Sequence, residues 1–168
     1  SDTDYSFDIT PTAEGKVTVD IGADVATDSE GVGNPAVQQY SVTYDITAPT
    51  VGAVNDGTAS DIDYQISLTT IKGNWSGFSD ALSGIKNYEW SIRTYSGPNV
   101  TNILDWTVAG TDTLVENDTL SLEDNKTYYL FLRATDQAGN VSSEVNSDGV
   151  TITQNAPTVE VSSDAVYA

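Results

Sequence analysis

Three residue types are missing from this 168-residue chain: cysteine, histidine and methionine. Without cysteine, the chain has no disulfide framework, no thiolate metal ligand and no thiol nucleophile. Without histidine, it has no imidazole ligand for zinc and no Ser-His-Asp triad. These absences exclude most zinc chemistry and most hydrolase mechanisms, and we predict that the chain is not an enzyme.

Basic residues are also scarce. Six Lys and Arg stand against 25 Asp and Glu, so the formal net charge is −19. A charge of this sign repels nucleic-acid phosphates and anionic membrane surfaces, and it attracts cations. We therefore expect no nucleic-acid partner. Because no run of about 18 apolar residues occurs either, we also expect no membrane insertion in this segment.

The N-terminal Ser1-Asp2-Thr3-Asp4 lacks the features of a signal peptide. We therefore interpret the chain as a piece of a larger polypeptide whose targeting signals lie elsewhere. The absence of cysteine does not favour the cytosol, because bacterial extracellular β-domains of this size often lack disulfides.

A long internal repeat runs through the chain. Ala26-Thr27-Asp28 recurs as Ala134-Thr135-Asp136, and Ala48-Pro49-Thr50-Val51 recurs at the same offset as Ala156-Pro157-Thr158-Val159. The offset from Ala26 to Ala134 has the length of one β-sandwich and is too long for a solenoid repeat. Aligning Gly33-Asn34 with Gly139-Asn140 predicts that the loop after Asp28 is two residues longer than the loop after Asp136.

The repeat also predicts the domain boundaries. Residues 1–47 would be the C-terminal part of one domain, its last three strands, and residues 48–154 a complete domain. Residues 155–168 would begin the next repeat. A lone three-stranded sheet at 1–47 would leave one apolar face bare, so it needs a missing half or another partner.

Alternation of apolar and polar residues predicts an all-β fold. Clusters of Gly, Asn, Asp and Ser recur too often for a helix to compete. The first segment has predicted strands at 5–10, 16–21 and 38–44. The second has them at 50–54, 64–75, 85–94, 103–108, 113–116, 119–122, 127–135 and 146–153.

Several motifs resemble known β-domains. Tyr128-x-Leu130-x-Leu132-x-Ala134, with Leu122 six residues before the tyrosine, resembles the tyrosine corner and strand F of fibronectin type III domains. Trp75 and Tyr88 stand where that family has core aromatics on strands B and C. Residues 1–51, through Tyr44-Asp-Ile-Thr-Ala-Pro-Thr, resemble bacterial immunoglobulin-like repeats. The resemblance implies tandem immunoglobulin-like or fibronectin type III-like β-sandwiches of large bacterial cell-surface adhesins.

The resemblance also implies a function. It predicts an extracellular stalk segment of a secreted or surface-anchored adhesin, with neighbouring repeats of the same polypeptide as partners. Cell-surface glycans or proteins would be bound through other domains. Two alternatives stay open: a glycan- or protein-binding module that uses Trp90, Tyr95 and Trp106, or a linker module of a secreted multidomain enzyme. Aromatics of a sandwich more often serve in packing.

Calcium is the one cofactor that the sequence suggests. In this topology the B–C loop with Asp80 and the F–G loop with Asp136 and Asn140 lie at the end that receives the linker with Asp45. Ca²⁺ takes six to eight oxygen ligands, and these side chains supply oxygen. A site there would lock two domains into a rod.

Two further points bear on this prediction. Asp28 and Asn34 occupy the matching loop of the first domain and would serve the preceding joint, whereas Thr153 stands at the position of Asp45 in the next repeat. The alternative interpretation is that Asp80, Asp136 and Asn140 only stabilise turns, with Gly84 and Gly139.

A third acidic group contains Asp56, Asp61 and Asp63. We interpret it as a solvated loop rather than as a pair of catalytic carboxylates.

Overall fold

The computed structural model describes residues 6–154, and the regular structure in this range consists of strands without a helix. The all-β prediction is therefore confirmed. The segment 155–168, predicted to begin another repeat, lies outside the described residues. The strands are β1 (Gly15–Val19), β2 (Tyr40–Tyr44), β3 (Ala53–Asp56), β4 (Tyr64–Gln65), β5 (Ile71–Ser76), β6 (Ile85–Ser96), β7 (Asn99–Gly110), β8 (Leu114–Asn117), β9 (Thr127–Asp136), β10 (Val145–Asn146) and β11 (Val150–Ile152).

Strands β3 to β11 form two sheets. The smaller sheet has the order β3-β5-β8, with all neighbours antiparallel. The larger has the order β4-β11-β9-β6-β7, and β10 also pairs with β9. Strand β4 runs parallel to β11, whereas β6 and β9 form a long antiparallel pair. Of the three longest strands, β9 and β6 lie inside the larger sheet and β7 lies at its edge.

The two sheets share one hydrophobic core. Along β9 the inward residues Tyr128, Leu130, Leu132 and Ala134 are each at most 1% exposed, as period-two alternation predicts. They pack in one cluster with residues of the smaller sheet such as Trp75. The arrangement is sandwich-like, because side chains from two sheets fill the space between them.

The tyrosine corner is present. The backbone N–H of Glu123 donates a hydrogen bond of 2.8 Å to the hydroxyl oxygen of Tyr128. Trp75 is buried in β5 and meets Tyr88 of β6 edge to face, with ring centroids 5.4 Å apart. The core positions predicted for these three aromatics are confirmed.

Three of the strands predicted for the second segment differ from the structure. The stretch 146–153 is divided into β10 and β11. The stretch 64–75 is interrupted, because β4 pairs with β11 in the larger sheet while β5 belongs to the smaller one. The Ser67 hydroxyl accepts hydrogen bonds from the N–H groups of Thr69 and Thr70 in the turn between them. The stretch 119–122 is not a strand, although Leu120 and Leu122 are buried and donate their N–H groups to the carbonyls of Thr69 and Leu68.

The N-terminal segment contains a two-stranded ribbon, β1 paired with β2. Within the described residues of the predicted strand at 5–10, no strand forms. The cross-strand pairs Val17–Val42 and Val19–Tyr40 place four apolar side chains on one face of the ribbon, because opposite residues share a face. Lys16–Thr43 and Thr18–Ser41 make the other face polar.

Two hairpins at equivalent positions of the repeat have the same backbone hydrogen bonds. The isolated bridge Thr27–Gly33 recurs as Thr135–Val141. The bond from Asp28 N to the Val32 carbonyl recurs from Asp136 N to the Asn140 carbonyl. The two loops therefore have equal length, and the expectation of two extra residues is wrong. Gly31, not Gly33, takes the position of Gly139, since both donate their N–H to the aspartate carbonyl at the loop start.

We expect Tyr128→Phe to lower the free energy of unfolding by about 1–2 kcal/mol, because the N–H of Glu123 loses its acceptor in a partly buried corner. Urea denaturation of both proteins measures this difference. Tyr64→Phe is the matched control, since Tyr64 is 68% exposed. Equal losses in the two variants would contradict a structural role for the Tyr128 hydroxyl.

Candidate metal site

The linker between β2 and β3 is held from both sides. On the N-terminal side, the Glu14 carboxylate accepts hydrogen bonds from the N–H of Ile46 and the hydroxyl of Thr47, at 2.7 and 2.9 Å. On the other side, the side-chain amide of Asn140 donates to the Asp45 carbonyl at 3.1 Å. The start of the linker is therefore connected to the ribbon and to the hairpin that follows β9.

Asp80 organises the loop between β5 and β6. Its Oδ1 accepts the N–H groups of Leu82, Ser83 and Gly84, at 3.1, 2.8 and 2.8 Å. These bonds, that of Gly84 above all, hold the pKa of the Asp80 carboxyl below its ordinary value. Gly84 has φ of 78°, a conformation that favours glycine. Asp80 therefore stays ionised at mildly acidic pH.

Asp136 organises the hairpin after β9 in the same way. Its Oδ1 accepts the N–H groups of Gly139 and Asn140 at 2.7 and 2.8 Å, and its Oδ2 accepts the Asn140 side-chain amide at 2.8 Å. Burial acts to raise the pKa of Asp136, but the bonds from Asn140 and Gly139 outweigh it, so that the pKa is lowered. The turn hydrogen bonds expected for Asp80 and Asp136 are thus present.

The same two carboxylates also lie beside Asp45. One carboxylate oxygen each from Asp45, Asp80 and Asp136 lies within 4.8 Å of the other two. Asp45 is only 6% exposed, and its Oδ1 accepts the N–H of Thr47 at 3.0 Å. Its Oδ2 is buried and has no hydrogen-bond partner among residues 6–154. Since a buried carboxylate oxygen without a partner is costly, this oxygen is a candidate ligand atom.

The donor set fits a hard cation. All three side chains offer oxygen, the preferred ligand of Ca²⁺ and Mg²⁺, whereas structural zinc sites use sulfur and nitrogen. Backbone carbonyls such as that of Asp45 qualify as further ligands. Asn140 adjoins the cluster through its amide nitrogen, which bridges the Asp45 carbonyl and Asp136 Oδ2. Its role in this arrangement is to brace the linker against the hairpin.

The structure places Asp28 and Asn34 differently from Asp136 and Asn140. Asp28 forms the matching hairpin, with Oδ1 accepting the N–H groups of Glu30 and Val32. Asn34 matches Ser142, because both accept an N–H bond from the alanine eight residues earlier, Ala26 and Ala134. Val32 therefore stands at the position of Asn140. Among the described residues, neither Asp28 nor Asn34 belongs to a group of three acidic side chains with close oxygens.

A second acidic cluster contains Asp56, Asp61 and Asp148. Asp56 is 0% exposed, so its prediction as part of a solvated loop is wrong. Its two oxygens accept the Ser147 hydroxyl at 2.9 Å and the Gly149 N–H at 3.0 Å. Period-two alternation from the buried Val54 would have placed Asp56 on the inner face of β3.

Burial raises the pKa of the Asp56 carboxyl to about 6, and the charges of Asp61 and Asp148 add to this rise. The hydrogen bonds from Ser147 and Gly149 act in the opposite direction. The folded protein therefore retains a proton on Asp56 over a pH range where the unfolded chain has lost it, with an ordinary pKa of 3.8.

The aromatic residues considered for ligand binding serve in packing. Trp90 is buried in the core. The guanidinium groups of Arg93 and Arg133 lie over the half-buried Trp106 ring, 5.1 and 4.4 Å from its centroid. Tyr95, 44% exposed, packs edge to face against Tyr129. Trp90 and Trp106 therefore do not form an open stacking surface for sugars.

We expect the free energy of unfolding of the wild-type protein to fall, relative to that of an Asp56→Asn variant, as pH rises from about 4 to about 7. The folded-state pKa of about 6 lies above the ordinary 3.8, so the folded state binds the extra proton in this window and unfolding is favoured as it leaves. Urea denaturation at several pH values measures the difference between the two proteins. Asp63→Asn changes an exposed carboxyl and keeps Asp56, so its stability relative to the wild type should not change over this pH window. A wild-type protein that gains stability relative to Asp56→Asn over this window would contradict the assignment.

No protein-family model matches this chain. No curated protein matches it either. In the part of the chain that the structure describes, no helix is long and apolar enough to span a membrane.

Proposed function

We propose that this chain is a non-enzymatic stalk segment of a large bacterial cell-surface adhesin, in which calcium stiffens the joint that precedes β3. The segment would be built from tandem immunoglobulin-like or fibronectin type III-like domains and would project a binding head from the cell surface. The proposal rests on the carboxylate of Asp45, a linker residue, which lies beside those of Asp80 and Asp136. Its buried Oδ2 has no hydrogen-bond partner among the described residues.

The sheet order supports the domain type. In fibronectin type III and immunoglobulin-like domains, strands A, B and E face strands C, F and G. Here β3-β5-β8 faces a sheet centred on β6 and β9, with β11 at the position of strand G. The tyrosine corner before β9 fits the same assignment. The recurrence of the hairpin hydrogen bonds at Asp28 and Asp136 supports a tandem arrangement.

An ion in this cluster would couple three segments that are distant in sequence. Asp45 belongs to the linker, Asp80 to the loop before β6 and Asp136 to the end of β9. Without a cation, three carboxylates with oxygens within 4.8 Å of each other repel, and this loosens the joint. With Ca²⁺ bound, the same charges hold the linker on the domain. The stiffness of the joint would therefore depend on the calcium concentration.

The joint after β11 has a different composition. Thr153 replaces Asp45 at the repeat position, so this joint lacks the linker carboxylate. The exit of the strand is instead held by Asp124, whose Oδ1 accepts the N–H of Gln154 at 2.8 Å. Glu14 holds Ile46 in the same way two residues after β2. We infer that a carboxylate from the preceding turn holds the start of both linkers, and that within the described residues the cation adds to this at the joint before β3.

Calcium should stabilise the protein and should act through Asp45. At a calcium concentration of 100 times the dissociation constant, binding adds about 2.7 kcal/mol. For a chain of this size that is a rise in melting temperature of roughly 5–10 °C. Asp45→Asn should abolish most of this rise. In chelator the variant should melt at or above the wild-type temperature, because it removes one of three repelling charges.

Asp112→Asn is the matched control, since it makes the same charge change at an exposed turn outside the cluster. It should keep the calcium effect of the wild type. The proposal is contradicted by a wild-type protein that ignores calcium, or by an Asp45→Asn protein that responds as the wild type does.

The joint should also become less mobile with calcium. Small-angle X-ray scattering of the full chain should give a narrower distribution of interatomic distances in calcium than in chelator. The Asp45→Asn protein should give the broader distribution in both buffers. Identical wild-type profiles in the two buffers would mean that Glu14 and Asn140 alone fix the linker.

A further inference from the structure

Strand β7 is a long edge of the larger sheet. It has 12 residues and pairs only with β6 in the part of the chain that the structure describes. The other edges of the two sheets are short: β4 has 2 residues, and β3 and β8 have 4 each. An edge strand presents a row of unpaired N–H and C=O groups, which is a template for a further strand. Of these edges, β7 therefore offers the longest template.

Few residues of β7 oppose such pairing. Natural edge strands are often protected by charged side chains and by proline. Strand β7 contains no proline and one charged residue, Asp105. The side-chain amide of Asn102, in the same strand, donates a hydrogen bond of 2.9 Å to Oδ1 of Asp105. The single charge of the strand is thus already bonded within it.

The sequence of β7 is nearly the same when it is read from either end. Val100-Thr101 near its start is mirrored by Thr107-Val108 near its end, with Leu104 at the centre. Two register shifts in the pairing with β6 lie on either side of Leu104. In an antiparallel pair of two such strands centred on Leu104, each valine would lie opposite a valine and each threonine opposite a threonine. Thr–Thr pairs across strands are stabilising, and β-branched side chains suit the surface of a sheet.

The two valines lie on the same face of the larger sheet. Val100 lies opposite Tyr95 and Val108 opposite Glu89, and both of these β6 residues alternate with buried ones. Val100 and Val108 are 52% and 63% exposed. Pairing with a second β7 would therefore cover two exposed apolar side chains in each copy.

The two threonines lie on the other face. Thr101 lies opposite Thr94 and Thr107 opposite Trp90, both of which are buried. Thr101 and Thr107 are themselves exposed. Because opposite residues of an antiparallel pair share a face, the mirrored positions meet on matching faces in this register.

We propose that β7 pairs antiparallel with β7 of a second copy of this chain, with Leu104 on the two-fold axis. The larger sheets of the two copies then form one continuous sheet. Both copies use the same surface, so the contact closes at two copies. The two chains run in opposite directions across it. In a stalk of the kind proposed above, this direction suits a contact between stalks of facing cell surfaces, whereas the pairing itself depends neither on the stalk nor on calcium.

Sedimentation equilibrium of the full chain in chelator tests the pairing separately from the calcium site. In about 0.15 M NaCl the Debye length is about 8 Å, so the net charges of −19 are screened while directly opposed side chains still interact. We expect the average mass to rise with concentration from 17.8 kDa to a plateau at twice this value. A wild-type chain that stays monomeric overturns the proposal.

Charge variants of the two valines test the register. A chain with Val100→Glu and Val108→Glu places like charges opposite each other at both ends of the pair, so it should associate at least about 10-fold more weakly than the wild type. A chain with Val100→Lys and Val108→Lys should be weakened for the same reason. An equimolar mixture of the two should form a one-to-one complex, because each glutamate then faces a lysine. This complex would also show that both variants are folded.

A chain with Ile66→Glu and Leu114→Glu is the matched control. These residues are 72% and 51% exposed and lie outside β7, so this chain should associate as the wild type does. A β7 glutamate variant that associates as strongly as the wild type overturns the proposal, because the copies would then meet through another surface, such as the apolar face of the β1–β2 ribbon. A mixture of the two charged variants that stays monomeric also overturns the pairing centred on Leu104.

Discussion

The packing of the inward side chains of β9 against the smaller sheet is the interaction on which the other features depend. Leu130, Leu132 and Ala134 are fully buried between the sheets, and the pairing of β9 with β6 and β11 orders the larger sheet around them. The same alternation continues to both ends of the strand. Tyr128 at one end fixes the preceding corner, and Asp136 at the other occupies the next inward position after Ala134. The candidate metal site thus lies where the core formed by β9 meets the linker before β3.

The turn role of Asp80 and Asp136 is compatible with the proposed role of their carboxylates as cation ligands. Asp80 and Asp136 each use Oδ1 to stabilise their own loop through backbone N–H groups. The loops then hold the carboxylates beside Asp45 of the linker. The hydrogen bonds lower the pKa of both loop aspartates, so they keep the cluster negative over a wide pH range. Turn formation therefore builds the cluster rather than competing with it.

The two hairpins have the same backbone geometry but different side chains around it. Bridges and backbone bonds recur from one hairpin to the other, because the aspartate at the loop start sets the turn in both. The surrounding side chains differ: Val32 replaces Asn140, and Thr153 replaces Asp45. The two hairpins thus share a backbone arrangement and differ in the side chains around it. Burial also differs between equivalent positions of the repeat: Val42 is half exposed, whereas Val150 is buried.

Local sequence patterns alone determine several strands, the tyrosine corner and two of the turns of this protein. Alternation located β6 and β9, the spacing around Tyr128 indicated the corner, and Asp-Gly chemistry predicted the turns at Asp80 and Asp136. These features depend on neighbouring residues, so they are encoded locally. The equal loop lengths were missed because Gly33-Asn34 imitates Gly139-Asn140, and the hydrogen bonds show the true register. Only the tertiary structure decided the break between β4 and β5, the burial of Asp56 and the orphaned oxygen of Asp45. Each of these depends on which distant strands pack together, and burial is a property of that packing rather than of any short stretch of sequence.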